Sequence, residues 1–361
     1  MAIAEPIADV WVQARDRVRN IGGTLGGPAL WLVFAAITLC ALIYRTDQFV
    51  VGIVIGSILA LGAVGLTLIY GVLKFAHFAH GDSMMLAAYI AFFFLSGRVV
   101  GTRTDAHLPW SLDDLPGATT PILDFSFGYG LLLAIPLAAV VTAGLFLILE
   151  RLVYRPLRER GSGLAIFAVA SLGIAISLRS LMLMFWGSSP RFYVPGIRPT
   201  TDLPFGVRIV TDQLFIFGAA IVLAAVVYIL LFRTRLGKAM RAMADNPDLA
   251  RVAGIDTDAV IRWTWVIGGI LVAIAGSLLA LQAQLKPELG FILLLPLFAA
   301  TILGGIGSPQ GAFFGAMIVG IAQEVAVSLG FLSPGYKFSV AFVILILILL
   351  LRPRGLFGAK A

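Results

Sequence analysis

Few residues in this chain could do chemistry, so their settings matter more than their number. Arg179 and Glu324 interrupt long apolar runs, where ionisable side chains are costly and mark function by default. Arg179 stands seven residues from the end of its run, a distance of roughly 10 Å along a helix and within reach of snorkelling. Glu324 lies deeper. The ordinary reading gives each a buried partner; a proton relay needs a chain of titratable neighbours, which Glu324 lacks. Segment 65–88, GLTLIYGVLKFAHFAHGDSMMLAA, places His77, His80 and Asp82 between two apolar helices. His80 could act as a ligand, a switch or a turn-stabilising hydrogen bonder. The turn role fits best, and Asp82 fits a helix N-cap. No Walker A, G-x-S-x-G, H-E-x-x-H or Cys/His ligand spacing occurs. No catalytic residue, metal site or bound cofactor is therefore expected.

A second polar stretch is longer. Segment 233–262 is a charged insert in an otherwise apolar chain, and its pattern is helical. Leu236, Met240 and Met243 share one face while Lys238 and Arg241 occupy others. Asn246 before Pro247 ends one helix and starts the next, and Gly254 suits a left-handed C-cap. Thr257 or Asp258 can cap the helix that follows. Two short helices outside the membrane, presented to a partner, are predicted.

Glycine forms a third pattern. Gly52, Gly56, Ser57, Gly62 and Gly65 line one apolar run, and Gly304, Gly305, Gly307, Gly311, Gly315 and Gly320 cluster in two others. Close helix packing accounts for most of them. Gly304, Gly305 and Gly307, followed by Ser308 and Pro309, look more like an interrupted helix and a candidate gate.

These residues require a membrane scaffold to position them. Of the 361 residues, 60% are hydrophobic and 12% charged, against roughly 45–50% and 25% in soluble domains. An all-α, polytopic bundle of about ten spans is expected, at 28–44, 49–73, 82–97, 128–150, 164–186, 213–232, 263–283, 291–303, 312–330 and 338–351. The segment 291–303 is short enough to be re-entrant. With both termini cytoplasmic, seventeen loop arginines and lysines fall inside and eight outside, as the positive-inside rule requires. The net charge of +7 is explained by this topology rather than by nucleic acid, because the basic residues form no single patch. Segment 1–27 reads as a cytoplasmic, interfacial helix rather than a cleavable signal, 28–351 as the transmembrane domain, and 352–361 as a cytoplasmic tail. The single cysteine, Cys40, forms no intrachain disulfide. The long loops 98–127 and 187–212 are either docking surfaces or plain connections.

At these motifs the chain resembles permease subunits of ABC importers for branched-chain amino acids. Gly65-Leu66, Tyr70-Gly71 and Phe78-Ala79-His80-Gly81 match one family element. Leu303–Gly305 with Gly307-Ser308 and Gly311-Ala312 match a second. Gly237, Arg241-Ala242, Asn246 and Gly254-Ile255 match a third, cytoplasmic one. His77 departs from the family's usual asparagine, and the 98–127 loop is longer than expected. The resemblance implies a multi-pass protein of the bacterial inner membrane. Its implied partners are a second homologous permease, two cytoplasmic ATPases that hold ATP and Mg, a periplasmic amino-acid-binding protein and the lipid bilayer. It also implies that Leu236, Gly237, Met240, Arg241, Ala242, Asn246 and Gly254 couple to the ATPase, and that Gly65, Tyr70, Gly71, Phe78, His80 and Gly81, with Gly304, Gly305 and Gly307, belong to the translocation path or its gate. Urea, short amides or another small solute are alternative cargoes. An ion-coupled secondary transporter is the reading from another class.

Overall fold

A computed structural model describes residues 45–100, 105–107, 110–203, 207–328, 332–352 and 355–357. The expected helix in 1–27, the span 28–44 and most of the 352–361 tail lie outside the described residues. Twelve helices carry the described fold. They are α1 Thr46–Leu73, α2 His80–Ser96, α3 Tyr129–Leu149, α4 Arg155–Glu159, α5 Leu164–Trp186, α6 Thr211–Arg233, α7 Arg235–Asp245, α8 Pro247–Val252, α9 Thr257–Gln282, α10 Leu289–Gly304, α11 Pro309–Ser328 and α12 Lys337–Leu351. A π-helical turn, Glu150–Tyr154, fuses α3 to α4. Seven helical stretches among the described residues are long and apolar enough to cross a membrane. α2 and α10, at 17 and 16 residues, are shorter.

The all-α expectation needs one correction, since each long loop contains a two-stranded antiparallel hairpin. Arg98–Val100 (β1) pairs with Asp105–His107 (β2), and Thr200–Leu203 (β3) with Val207–Val210 (β4). Alternating β-branched residues such as Val207 and Ile209, both buried, suit strands that cover helix ends.

α1 and α9 are central and largely buried, whereas α6 and α12 are largely exposed and form the rim. Small residues let α1 reach α11. A Cβ on Gly320 would stand 2.4 Å from the Gly56 Cα, and one on Gly52 would stand 2.8 Å from the Ile321 Cα. In lipid, where apolar burial drives little association between helices, such backbone proximity is a main source of packing energy. α9 meets α2 in the same way, with Gly276 against the Met84 carbonyl. The loop after α5 crosses the bundle end. It pairs Arg191 with Leu285 and donates the Tyr193 hydroxyl to the Ala88 carbonyl at 2.7 Å.

Candidate translocation and coupling sites

The connection between α1 and α2 places the histidines. α1 stops at Lys74, which takes a left-handed conformation (φ 62°) and bonds back to the Tyr70 carbonyl. The chain then runs back into the bundle instead of turning at its end. The His80 Nε2 lies 2.8 Å from the Gly62 carbonyl, eleven residues or roughly 16 Å before the end of α1. Residues 75–79 are thus non-helical chain packed inside the protein, where every polar backbone group needs a partner. Ser171 of α5 supplies one, for the Phe78 N–H. Its Oγ accepts from the Phe78 N–H at 3.0 Å and donates to the Ala168 carbonyl at 2.8 Å, with the Ala76 carbonyl at 3.3 Å. Rings fill the remaining space: His77 is fully buried among Phe146, Tyr154, Trp265 and His80. The expected turn role of His80 becomes a bond across helices. Gly65 leaves room for that ring, since a Cβ there would stand 3.3 Å from the imidazole. Gly81 allows α2 to meet α10, because a Cβ would come within 2.1 Å of the Gly290 carbonyl. The Phe78 ring packs on Phe298.

Asp82 is not an N-cap. The helix begins two residues earlier, and the Asp82 carboxylate, fully buried, receives the Arg179 guanidinium through contacts of 3.0, 3.0 and 3.1 Å. The guanidinium also stacks 4.6 Å over Phe291. Glu324 pairs with Lys337 at the start of α12. Both intramembrane charges therefore have the internal partners expected of the ordinary reading. A third buried carboxylate, Glu150, was missed because it falls at a span boundary. It accepts from the Trp265 indole at 2.7 Å and pairs with Arg158.

Segment 233–262 folds as the two short helices predicted, α7 and α8. Thr234 caps α7 by accepting from the Gly237 N–H, and Asn246 caps α8 by accepting from the Leu249 N–H at 3.0 Å. Asp256, rather than Thr257 or Asp258, caps α9, through the Ala259 N–H at 2.9 Å. Gly254 adopts φ +82° as its C-cap role requires. Gly237 packs so closely that a Cβ would meet the Leu231 carbonyl at 2.2 Å. Met240 and Met243 are buried against the bundle, Leu236 and Ala242 are half-buried, and Arg241 stacks over Phe232 at 4.8 Å. The outward apolar residues are ones that sequence reasoning passed over: Leu249 and Val252, one helical turn apart on α8, are 65% and 85% exposed. Their i,i+3 spacing was the available signal.

Coupling and gate candidates meet at this end of the bundle. A cleft of about 180 Å³ is lined by Thr67 and Gly71 of α1, Met240 and Arg241 of α7, and Gly307. The Lys74 ammonium donates to the Ala244 carbonyl, which ties α1 to α7. The Gly307 N–H donates to the Thr67 hydroxyl at 2.9 Å. Gly304, Gly305 and Gly307 form the tight connection from α10 to α11, with φ +102° at Gly305 and +86° at Gly307. Gly304 packs on Gly311, and Leu356 and Phe357 donate to the Leu303 and Gly304 carbonyls. The non-helical backbone expected at 304–307 is therefore a satisfied turn, while the interruption inside the bundle is at 75–79. Tyr70 is half-buried near the same end, whereas Glu324 and the Arg179–Asp82 pair stand apart from the cleft. Among the described residues no group of three or more histidine, cysteine or acidic side chains converges as a metal site.

Residues 48–349 match the family model described as branched-chain amino acid transport system / permease component. The high-affinity branched-chain amino acid transport system permease protein BraD of Pseudomonas aeruginosa is 32% identical, over 86% of this chain and 95% of its own. LivH of Escherichia coli is 31% identical over 88% and 96%. A probable LivH of Methanocaldococcus jannaschii is 28% identical over 85% and 90%. With a helical bundle, a capped helix pair at one end and near full-length similarity, the chain belongs to the branched-chain amino acid transport permease family.

Proposed function

We propose that this chain is the membrane permease subunit of an ABC importer. In this reading it forms, with a second homologous permease, the path for branched-chain or other hydrophobic amino acids. Two cytoplasmic ATPases that bind ATP and Mg supply the energy, and a periplasmic binding protein delivers the cargo. The chain itself is not an enzyme. It would lie in a bacterial inner membrane with about ten spans and both termini inside.

The observation that carries this reading is the α7–α8 pair. It is capped at each start, anchored on the bundle by Met240 and Met243, and offers Leu249 and Val252 outward. A rigid lever of this kind can pass a push from an ATPase to Lys74, Gly71 and Gly307 beside it. The full-length likeness to named branched-chain permeases favours that cargo over urea or amides. Internal pairing of Arg179 and Glu324 favours nucleotide-driven transport over ion coupling, which needs a carboxylate open to the path. To test the reading, Leu249→Glu and Val252→Glu are combined in one variant. Membrane insertion should be unchanged, while the ATPase no longer co-purifies and leucine uptake is lost. Uptake that continues without any ATPase subunit would refute it.

A further inference from the structure

At the same end as α7 and α8, but on the α3–α9 side, lies a separate cleft of about 320 Å³. Four guanidinium groups line it, Arg151, Arg155, Arg158 and Arg262, against two carboxylates, Glu150 and Asp258. Their partners divide them. Arg158 is held by the buried Glu150, and Arg155 by Glu159 at 2.8 Å. Arg151 and Arg262 are exposed and, among the described residues, have no hydrogen bond, ion pair or ring contact. Asp258 faces the field of Arg155, and Glu150 spends both oxygens on Arg158 and Trp265. The lining therefore retains net positive charge, carried by the two unpaired arginines.

The surroundings are those of a membrane interface. The cleft wall includes Leu147 and Ile261, which belong to spanning helices rather than to loops. Ile148 and Leu152 share a helical face beside Arg151 and are 54% and 69% exposed; Trp263, next to Arg262, is 52% exposed. Tryptophan and arginine at a helix end mark the headgroup level, with acyl chains against the aliphatic face beyond. Basic pockets between helices at that level suit lipid phosphates. No residue of α7 or α8 lines the cleft, which separates it from the surface assigned to the ATPase.

We propose that this cleft binds the headgroup of an anionic phospholipid of the phosphatidylglycerol or cardiolipin class, with Arg151 and Arg262 holding the phosphate. The π-helical turn at Glu150–Tyr154 aims Arg151 into the cleft, and the headgroup clamps α3 to the start of α9.

The full-length chain, with whatever subunits accompany it, is purified in mild detergent and its retained lipid measured by native mass spectrometry. Wild type should hold phosphatidylglycerol or cardiolipin through a delipidating wash. The Arg151→Gln/Arg262→Gln variant should retain about tenfold less. In phosphatidylcholine nanodiscs, adding phosphatidylglycerol should raise the thermal midpoint of wild type but not of the variant. Arg160→Gln, an exposed arginine outside the cleft, should behave as wild type. Should the double variant fail to fold, the two single exchanges are read the same way.

Several results would overturn the proposal. Equal retention in wild type and variant removes the site, and equal loss in Arg160→Gln reduces it to general surface charge. An equal midpoint rise with glycerol phosphate makes it a soluble-anion site. Loss of ATPase subunits from the variant, with its lipid retained, makes it a protein contact.

Discussion

At the scale of single residues, the buried carboxylates Asp82, Glu150 and Glu324 are each matched to a basic side chain. Asp82 is fully buried and Arg179 a quarter exposed, with guanidinium and carboxylate in a forked contact. Removing one partner strands the other, which costs about 3–5 kcal/mol for a buried pair, whereas replacing both with apolar groups is often close to neutral. Asp82→Leu should therefore reduce the folded membrane yield sharply, and Asp82→Leu/Arg179→Leu should recover most of it. The check is a double-mutant cycle on detergent thermal midpoints; additive losses would show that the pair does not act as a unit. The sequence makes Arg179 and Glu324 conspicuous because they break apolar runs. It conceals their partners, since Asp82 lies 97 positions from Arg179 and sits, like Glu150, at a span boundary where a charge looks like part of a loop. Helix starts misled in the same way. Asp82 has the chemistry of an N-cap, yet its ion pair recruits it into the bundle and leaves Ala79 at the cap position.

At the scale of elements, glycine separates contacts that need backbone proximity from positions that do not. Gly320 lies where a Cβ would meet Gly56 backbone atoms at 2.4 Å, while a Cβ at Gly218, in α6, would meet nothing within 4 Å. Gly320→Ala should force α11 away from α1 and lower the thermal midpoint by several degrees. Gly218→Ala should be neutral or stabilising by up to about 1 kcal/mol, because alanine is the better helix former. Equal effects from both would argue against close α1–α11 packing. The 74–79 connection provides a second element-level test. Ser171→Ala strands the Phe78 N–H inside the protein, which costs about 1–3 kcal/mol for a buried unsatisfied group. Ser171→Thr keeps the hydroxyl and should retain more transport at equal expression. Spans were legible because about twenty apolar residues have few other uses. The inward return of 75–79 was not, because a buried non-helical stretch is specified by distant groups such as Ser171 and Trp265 rather than by its own pattern.

At the scale of the whole molecule, the proposed function depends on which end of the bundle faces which compartment. Structure alone distinguishes two ends: one carries α7, α8 and the α10–α11 turn, the other the two β-hairpins and the strap over Ala88 and Leu285. The proposed orientation rests on charge: basic residues are concentrated on the α7–α8 end, and that bias was readable directly from the sequence. Val252 and Ile197 make the assignment testable, because they lie on either side of α6 and are 85% and 104% exposed. With Cys40→Ser as background, a membrane-impermeant thiol reagent should label Ile197→Cys in spheroplasts and leave Val252→Cys unlabelled until the cells are opened. Neither position is shielded by the fold, so failure to react reports the bilayer and not burial within this chain. A partner docked on α8 would also protect Val252→Cys after lysis. That protection should disappear when the ATPase subunits are stripped from the membranes, which separates sidedness from coupling in one experiment. Labelling of Val252→Cys from outside would place the α7–α8 lever beyond the reach of cytoplasmic ATP, leaving no route from hydrolysis to the cleft at Gly71 and Gly307.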